Sequence, residues 1–285
     1  MTARFSIVTT CKGRLHNLKR TLPRFLAQEN AEVIVVDYDC PDGTAEYVAA
    51  NHPRARLVRV ADQPLFNLGH ARNLGAAQAV GEYLVFLDAD VVIADTFLTE
   101  LDGALGTAAF AVFAPTAGNS LRGSCVIRRR EFLAIGGYDE LMRGYGGEDL
   151  DIYMRLRMIG APRAMLDPGA VVEMIEQDDA EKARFRGPDL KKQFLQGQLY
   201  VAVKEMVMSV ERLAVLEPAL RQQIYDEVRR NLDPLYAGVG DFALEVRLPD
   251  KYKRGFLQEW EFSRAVVVRA RRRKPAADGG DASPT

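Results

Sequence analysis

Residues 81–93 read GEYLVFLDADVVI, and the rest of the chain is organised around them. Tyr83, Leu84, Val85, Phe86 and Leu87 form an apolar run without alternation. That is the pattern of a strand buried on both faces of a parallel sheet. Asp88 and Asp90 follow at once, around the small Ala89. In open α/β sheets ligands bind beyond the carboxyl ends of the strands, so the two acids stand where a site is expected. Two carboxylates crowded together are costly unless a cation joins them. A hard divalent cation carrying a substrate diphosphate meets that need, because such ions take oxygen ligands from one or two carboxylates plus phosphates. The competing reading is a strand end with two solvated acids, and D-x-D alone divides the two about evenly.

Outward from this stretch the pattern is one of alternation. Strands are expected at 5–10, 32–37 and 55–60, and helices at 14–28, 44–51 and 67–80. Pro23 should end or kink the first helix. Strands alternating with helices define β-α-β units, right-handed crossovers and a mostly parallel central sheet flanked by helices. Beyond Asp90 the expectation is a helix at 96–105, strands at 110–114 and 124–128, and a short helix at 131–135. A glycine-dense loop at 136–147 then leads into a helix at 148–159, followed by a strand at 170–177. Helices at 189–215 and 218–232, with Phe194, Leu195, Leu199, Val203 and Met206 among their apolar positions, would pack on the sheet or on a partner copy. The division is an α/β domain over 1–187, a helical extension over 188–268 and a basic, disordered tail over 269–285.

Composition narrows the function classes. The net charge of −1 gives no field for nucleic acid. Cys11, Cys40 and Cys125 are odd in number and widely spaced, which suggests neither a zinc cluster nor a disulfide framework and suits a reducing, cytoplasmic compartment. The start MTARFSIVTT reads as a strand and lacks a secretion-signal core, and no apolar run approaches the roughly 18 residues of a membrane span. Contact with the inner face of a membrane would therefore be peripheral. The run RARRRK at 269–274 is first a solvated charge run and second a weak contact for anionic lipid. His16, His52 and His70 form no cluster.

Candidate site residues gather in four places. The first turn, from Thr9 through Lys12 and Gly13 to Arg14, offers backbone N–H groups and two cations to an anion. It is not a G-x-x-x-x-G-K-[ST] phosphate loop, and surface cations are an equally good reading. Asp37 and Asp39 at the second strand end can accept hydrogen bonds from a base or ribose, or make Asx turns. Arg72 could face a diphosphate or form a surface ion pair. The stretch 136–151, GGYDELMRGYGGEDLD, holds glycines that permit close backbone approach to a ligand. Its acids Glu148 and Asp149 fall at a helix start, where acids also complement the helix dipole.

D-A-D, then GGYDE, then GYGGEDLD, in that order, resembles a GT-A-fold glycosyltransferase over about 5–185. The first part is similar to the family 2 nucleotide-sugar glycosyltransferases. The second resembles the C-terminal catalytic region of the beta-1,4-galactosyltransferases and related N-acetylgalactosaminyltransferases. The resemblance implies a metal-dependent, inverting enzyme that moves a hexose or N-acetylhexosamine from a UDP-sugar to a hydroxyl of a glycan or glycolipid, as in polysaccharide biosynthesis. It implies Mn²⁺ or Mg²⁺ on Asp90, with Asp88 at the ribose or metal shell and Met174 and Gln177 as further ligands. It places Arg14, Arg72 and Asp39, with Thr9 at the first turn, on the nucleotide side. It places Tyr145, Gly146 and Gly147 toward the sugars, and Asp149, beside Glu148, as the catalytic base. Two departures stand out: Gln177 replaces a histidine, and Asp37-Tyr38-Asp39 replaces a D-D pair. A glutamine oxygen suits a hard cation better than a soft one. The alternatives are a retaining N-acetylgalactosaminyltransferase-like enzyme, a nucleotidyltransferase and a non-catalytic sugar-nucleotide-binding scaffold. A homo-oligomer through the C-terminal helices is a further expectation.

Overall fold

The computed structural model describes residues 3–115, 121–176, 179–238, 241–249 and 263–270. The first half runs β1 (Phe5–Cys11), α1 (Leu15–Leu26), β2 (Ala31–Tyr38), α2 (Thr44–Asn51), β3 (Arg56–Val60), α3 (Leu68–Ala77) and β4 (Tyr83–Phe86). β1 pairs in parallel with both β2 and β4, and β2 with β3. The chain continues through β5 (Val91–Ile93), α4 (Phe97–Leu105), β6 (Phe110–Phe113), β7 (Cys125–Arg128), α5 (Arg129–Ala134), α6 (Glu148–Met158) and β8 (Arg163–Leu166). The sheet order is β3-β2-β1-β4-β7-β6-β8, with β7 antiparallel to both neighbours and β8 parallel to β6. The expected mostly parallel α/β sheet is present.

Strand residues alternate between two cores. Ile7, Val33, Val35 and Val85 face α1, where Leu18, Leu22 and Phe25 cover them. Val8, Ile34, Val36, Leu84 and Phe86 face the other side, with Ala71 and Ala76 of α3 and Ile152 and Leu156 of α6. Both faces being covered explains why β1, β2 and β4 lack a polar face. α3 approaches so closely that a Cβ at Gly75 would lie 2.5 Å from Val8 Cγ1.

Three expectations are corrected. Pro23 does not end α1, which continues to Leu26. Pro23 is exposed, while Leu22 and Phe25 on either side are fully buried, and that burial holds the last turn. The short strands β5 and β8 were not expected. β5 pairs antiparallel with β9 (Val171–Met174). The C-terminal part is not wholly helical. After α7 (Asp179–Arg184), α8 (Leu190–Glu211) and α9 (Pro218–Tyr236) come β10 (Phe242–Leu248) and β11 (Arg264–Ala270). These two pair antiparallel, and alternate residues Leu244, Val246 and Leu248 are buried against α8 and α9. Arg269 thus belongs to a strand, and residues 271–285 of the expected tail lie outside the described residues. Val203, Val207 and Met208 of α8 are spent on this internal core, whereas Phe194 and Met206 are exposed. Among the described residues no helix is long and apolar enough to cross a membrane.

A buried ionic cluster joins the two parts. Lys204 of α8 donates to Asp139 at 2.5 Å and to Asp151 of α6 at 2.6 Å. Tyr200 donates to Asp139 at 2.7 Å, and Arg155 pairs with Asp151 at 2.6 Å. Burial alone would push the Asp139 carboxyl up, but the Lys204 ammonium and the Tyr200 hydroxyl bring it down to about 2. The fold therefore favours ionised Asp139. That contribution is full above the ordinary carboxylate range and is lost as pH falls through about 2. Lys204→Met leaves two buried carboxylates without their shared cation and should cost about 3–5 kcal/mol. Urea unfolding at neutral pH measures this, and an unchanged midpoint would contradict the role given to Lys204.

Candidate functional site

The site forms where β1 and β4 end side by side. The backbone ladder closes with Leu87 N donating to Val8 O, and Asp88 and Asp90 follow just past it. From α3, Arg72 reaches beneath them. Its guanidinium is buried, with 1% of the side chain exposed, and Nη2 donates to Asp88 Oδ1 at 2.8 Å. Nη1 donates to the Tyr138 hydroxyl at 3.1 Å and lies 3.7 Å from Asp149 Oδ1. The rings of Phe86 and Tyr138 flank it, 5.7 and 5.3 Å from the guanidinium carbon. Burial would lower the Arg72 pKa, yet Tyr138, Asp88 and Asp149 together hold it well above its ordinary value. Arg72 therefore does not face an open diphosphate site, as its position in the sequence suggested. It joins the D-A-D acid to the first turn of α6 from below.

Asp90 is buried and its Oδ2 lies 3.5 Å from Arg14 Nη1. Burial, then the charge of Asp88, push the Asp90 carboxyl up to about 6. Asp149 is pushed well above the carboxylate range by burial and then by Glu148, with Arg72 opposing. These acids share one region of low dielectric and resist simultaneous ionisation without added positive charge. A cleft of about 450 Å³ opens beside them, lined by Thr10, Arg14, Asp88, Phe185 and Arg186 among others.

Sequence reasoning missed the segment that closes this cleft. Phe185 lies against Gly13, whose φ is +70° and whose added Cβ would come within 2.0 Å of the ring. Phe185 O accepts from Phe66 N at 2.7 Å, which fastens the segment to the loop before α3. Arg186 then lies between two aromatic faces, 5.5 Å from the Phe66 centroid and 5.2 Å from that of Tyr145. Among the described residues no carboxylate lies within ion-pair distance of it. Burial lowers its pKa, the charge of Glu148 and then of Asp88 opposes this, and the nearby Arg14 adds to the lowering. A part-buried cation held between two aromatic faces beside the cleft is placed to meet an anion. Nothing local in the sequence marks it, since Phe185-Arg186-Gly187 matches no motif.

The other expected residues fall as follows. Thr9 is fully buried within β1, and Thr10 lines the cleft in its place. Lys12 is spent internally, donating to the carbonyls of Tyr38, Asp39 and Gln63. Asp39, at φ +52°, accepts from Gln63 N at 3.1 Å at the cleft's outer edge. Gly146 and Gly147 are explained by packing: α8 comes so near that a Cβ at Gly197 would meet Gly146 O at 2.1 Å. Tyr145 N donates to Gln193 of α8, and the Tyr145 ring faces Arg186. Met174 pairs with Val91, next to Asp90, and is partly buried against the α1-side core. Gln177 lies outside the described residues. The histidines make unrelated contacts, such as Tyr38 with His70 at 2.7 Å.

The sequence matches the model of glycosyl transferase family 2 over residues 6–159, more than half of the chain. The chain belongs to that family and is a glycosyltransferase. Among solved structures it is similar to S. aureus TarS 1-349 in complex with UDP-GlcNAc, at 17% identity and a TM-score of 0.59, covering 82% of this chain and 73% of that one. It is also similar to the mannosyltransferase PcManGT from Pyrobaculum calidifontis in complex with GDP-Man and Mn²⁺, at 18% identity and a TM-score of 0.56, covering 83% and 76%. At these identities the likeness shows the fold. Curated protein sequences yield no match.

If Arg186 completes an anion site, Arg186→Ala should weaken binding of inorganic pyrophosphate by about tenfold, the worth of one charge-assisted contact. Calorimetric titration measures it, and equal affinities for the two proteins would remove Arg186 from the site.

Proposed function

We propose that this glycosyltransferase is an inverting enzyme that uses a UDP-sugar donor and a hydroxyl acceptor on a glycan or glycolipid. The observation that carries the reading is Arg72, which brings Asp88 of the D-A-D motif and Asp149 of the GGED motif onto one buried guanidinium. A donor-side acid and an acceptor-side acid are thereby held in one site. The complexes named for the similar structures, with UDP-GlcNAc and with GDP-Man and Mn²⁺, support a nucleotide-sugar donor.

The residues fit a hard divalent cation. Burial and then the charge of Asp88 raise the Asp90 carboxyl to about 6, with Arg14 and Arg186 opposing, while Asp88 is paired with Arg72. Among the described residues no cluster of three or more His, Cys, Asp or Glu side chains could hold a metal. Diphosphate oxygens and water would then complete the shell, as Mg²⁺ and Mn²⁺ accept. Such an ion, when bound, would neutralise charge on the leaving nucleotide.

The chain's own groups supply the remainder. Asp149 takes the proton from the acceptor hydroxyl as its oxygen attacks the anomeric carbon, and the bond to the leaving phosphate breaks. Its raised pKa makes it a stronger base than a solvated carboxylate. This role is carried over from the resemblance to the beta-1,4-galactosyltransferases. Arg14 and Arg186 hold the diphosphate and stabilise it as negative charge develops. Attack from the side opposite the leaving group inverts the anomeric configuration.

Asp149→Asn should leave donor affinity close to that of the wild type and lower turnover by roughly two to four orders of magnitude. Released UDP measured at saturating acceptor, with the product anomer assigned by NMR, tests both claims. Turnover near wild type would move the base elsewhere, and a retained anomer would end the inverting reading.

A further inference from the structure

We propose that Cys40 and Cys11 form an oxidisable thiol pair at the edge of the nucleotide cleft, with Cys40 attacking a peroxide and Cys11 closing the disulfide. The proposal stands on the geometry of the two sulfurs and does not depend on the donor or acceptor.

Cys11 ends β1 and is fully buried. Cys40 lies in the turn between β2 and α2 and is partly exposed. Their Sγ atoms are 4.0 Å apart. Cys40 Sγ accepts from the Gly13 backbone N–H at 3.1 Å and from the Thr44 hydroxyl at 3.1 Å. The same hydroxyl lies 3.2 Å from Cys11 Sγ. The turn that carries Cys40 is pinned: Asp37 accepts from Cys40 N at 2.8 Å and from Ala45 N at 2.7 Å. Several donors converging on one sulfur build a site for a thiolate rather than a thiol.

The protonation follows from this arrangement. The Cys11 thiol, with Thr44 and the backbone N–H groups of Asp42 and Gly13, brings Cys40 down to about 6 against its burial. Cys11 is held well above its ordinary value by the Cys40 sulfur and by burial, so the proton stays on Cys11. Burial pushes Cys125, which lies away from the pair, up to about 11, and it serves as an internal control. Packing alone accounts for a buried Cys11. It does not account for the donors directed at Cys40.

The reaction balances with hydrogen peroxide as oxidant. The Cys40 thiolate attacks one peroxide oxygen, the O–O bond breaks, and hydroxide leaves with the electron pair. Cys40 is then a sulfenic acid. The Cys11 sulfur attacks the Cys40 sulfur, the S–S bond forms and the S–O bond breaks. The proton of Cys11 goes to the departing hydroxide as water. Two thiols and one peroxide give one disulfide and two waters. Closure to about 2.0 Å between sulfurs draws Cys40 from Gly13 N–H and Thr44. It thereby shifts the turn that carries Arg14 against the loop that carries Asp39.

The test uses the full chain. Under native conditions at neutral pH, iodoacetamide should label Cys40 at least about tenfold faster than Cys11 or Cys125. Hydrogen peroxide should then give a Cys11–Cys40 cross-linked peptide by mass spectrometry, reversed by dithiothreitol. Cys11→Ser should stop at a sulfenic acid that dimedone traps on Cys40, while Cys40→Ser should leave Cys11 reduced. Equal labelling of the three cysteines overturns the proposal, and so does the absence of the cross-link in peroxide-treated wild type. The wild-type arms stand even if a variant fails to fold.

Discussion

A single guanidinium removed from water decides how this site is built. Burying Arg72 carries a desolvation cost that is tolerable only because Asp88, the Tyr138 hydroxyl and Asp149 surround it, with two aromatic faces on its flanks. The dependence is mutual. Asp88 keeps its place past the end of β4 through its 2.8 Å contact with Arg72, and Gly123 leaves only enough room beside it: an added Cβ would lie 3.0 Å from Asp88 Oδ2. Asp149, with its pKa already raised, would be harder still to ionise without Arg72.

The loop that leads into Glu148 and Asp149 is held from both ends. On the sheet side, Asn73 of α3 donates to Tyr138 O at 3.0 Å and to Glu140 at 2.8 Å, and it accepts from Tyr138 N at 2.8 Å. On the other side, α8 holds Asp139 and Asp151 through Lys204 and seats the glycines against Gly197. The C-terminal part is thus a structural wall of the site. The segment between α7 and α8 completes the enclosure, with Phe185 over Gly13 and Arg186 between Phe66 and Tyr145.

Much of this was legible in the order of residues. Apolar runs ending in acids report strands buried on both faces, and the strands at β2 and β4 follow from that alone. Asp88, Asp90 and Asp149 were marked by motif, and the structure brings Asp88 and Asp149 to Arg72, with Asp90 beside Arg14. What was not legible depends on pairs distant in sequence. Arg72 reads as facing a diphosphate or forming a surface ion pair because the acids that neutralise it lie 16 and 77 positions away in sequence, a separation that follows from the numbering of Asp88 and Asp149. Gly146 and Gly147 read as ligand-facing because their close neighbour, Gly197, lies on a helix with no motif. The hairpin of β10 and β11 alternates clearly, yet its buried face exists only once α8 and α9 are in place. Pro23 shows that a local breaker loses to two buried neighbours.

The central claim is that the acids at the end of β4 hold a nucleotide through a divalent cation. Calorimetric titration of UDP into the wild type and Asp90→Ala, each with and without Mn²⁺, tests it most directly. The account predicts that Mn²⁺ strengthens UDP binding to the wild type and that Asp90→Ala loses this gain while unfolding at the wild-type denaturant midpoint. The same Mn²⁺-dependent affinity in both proteins would contradict it.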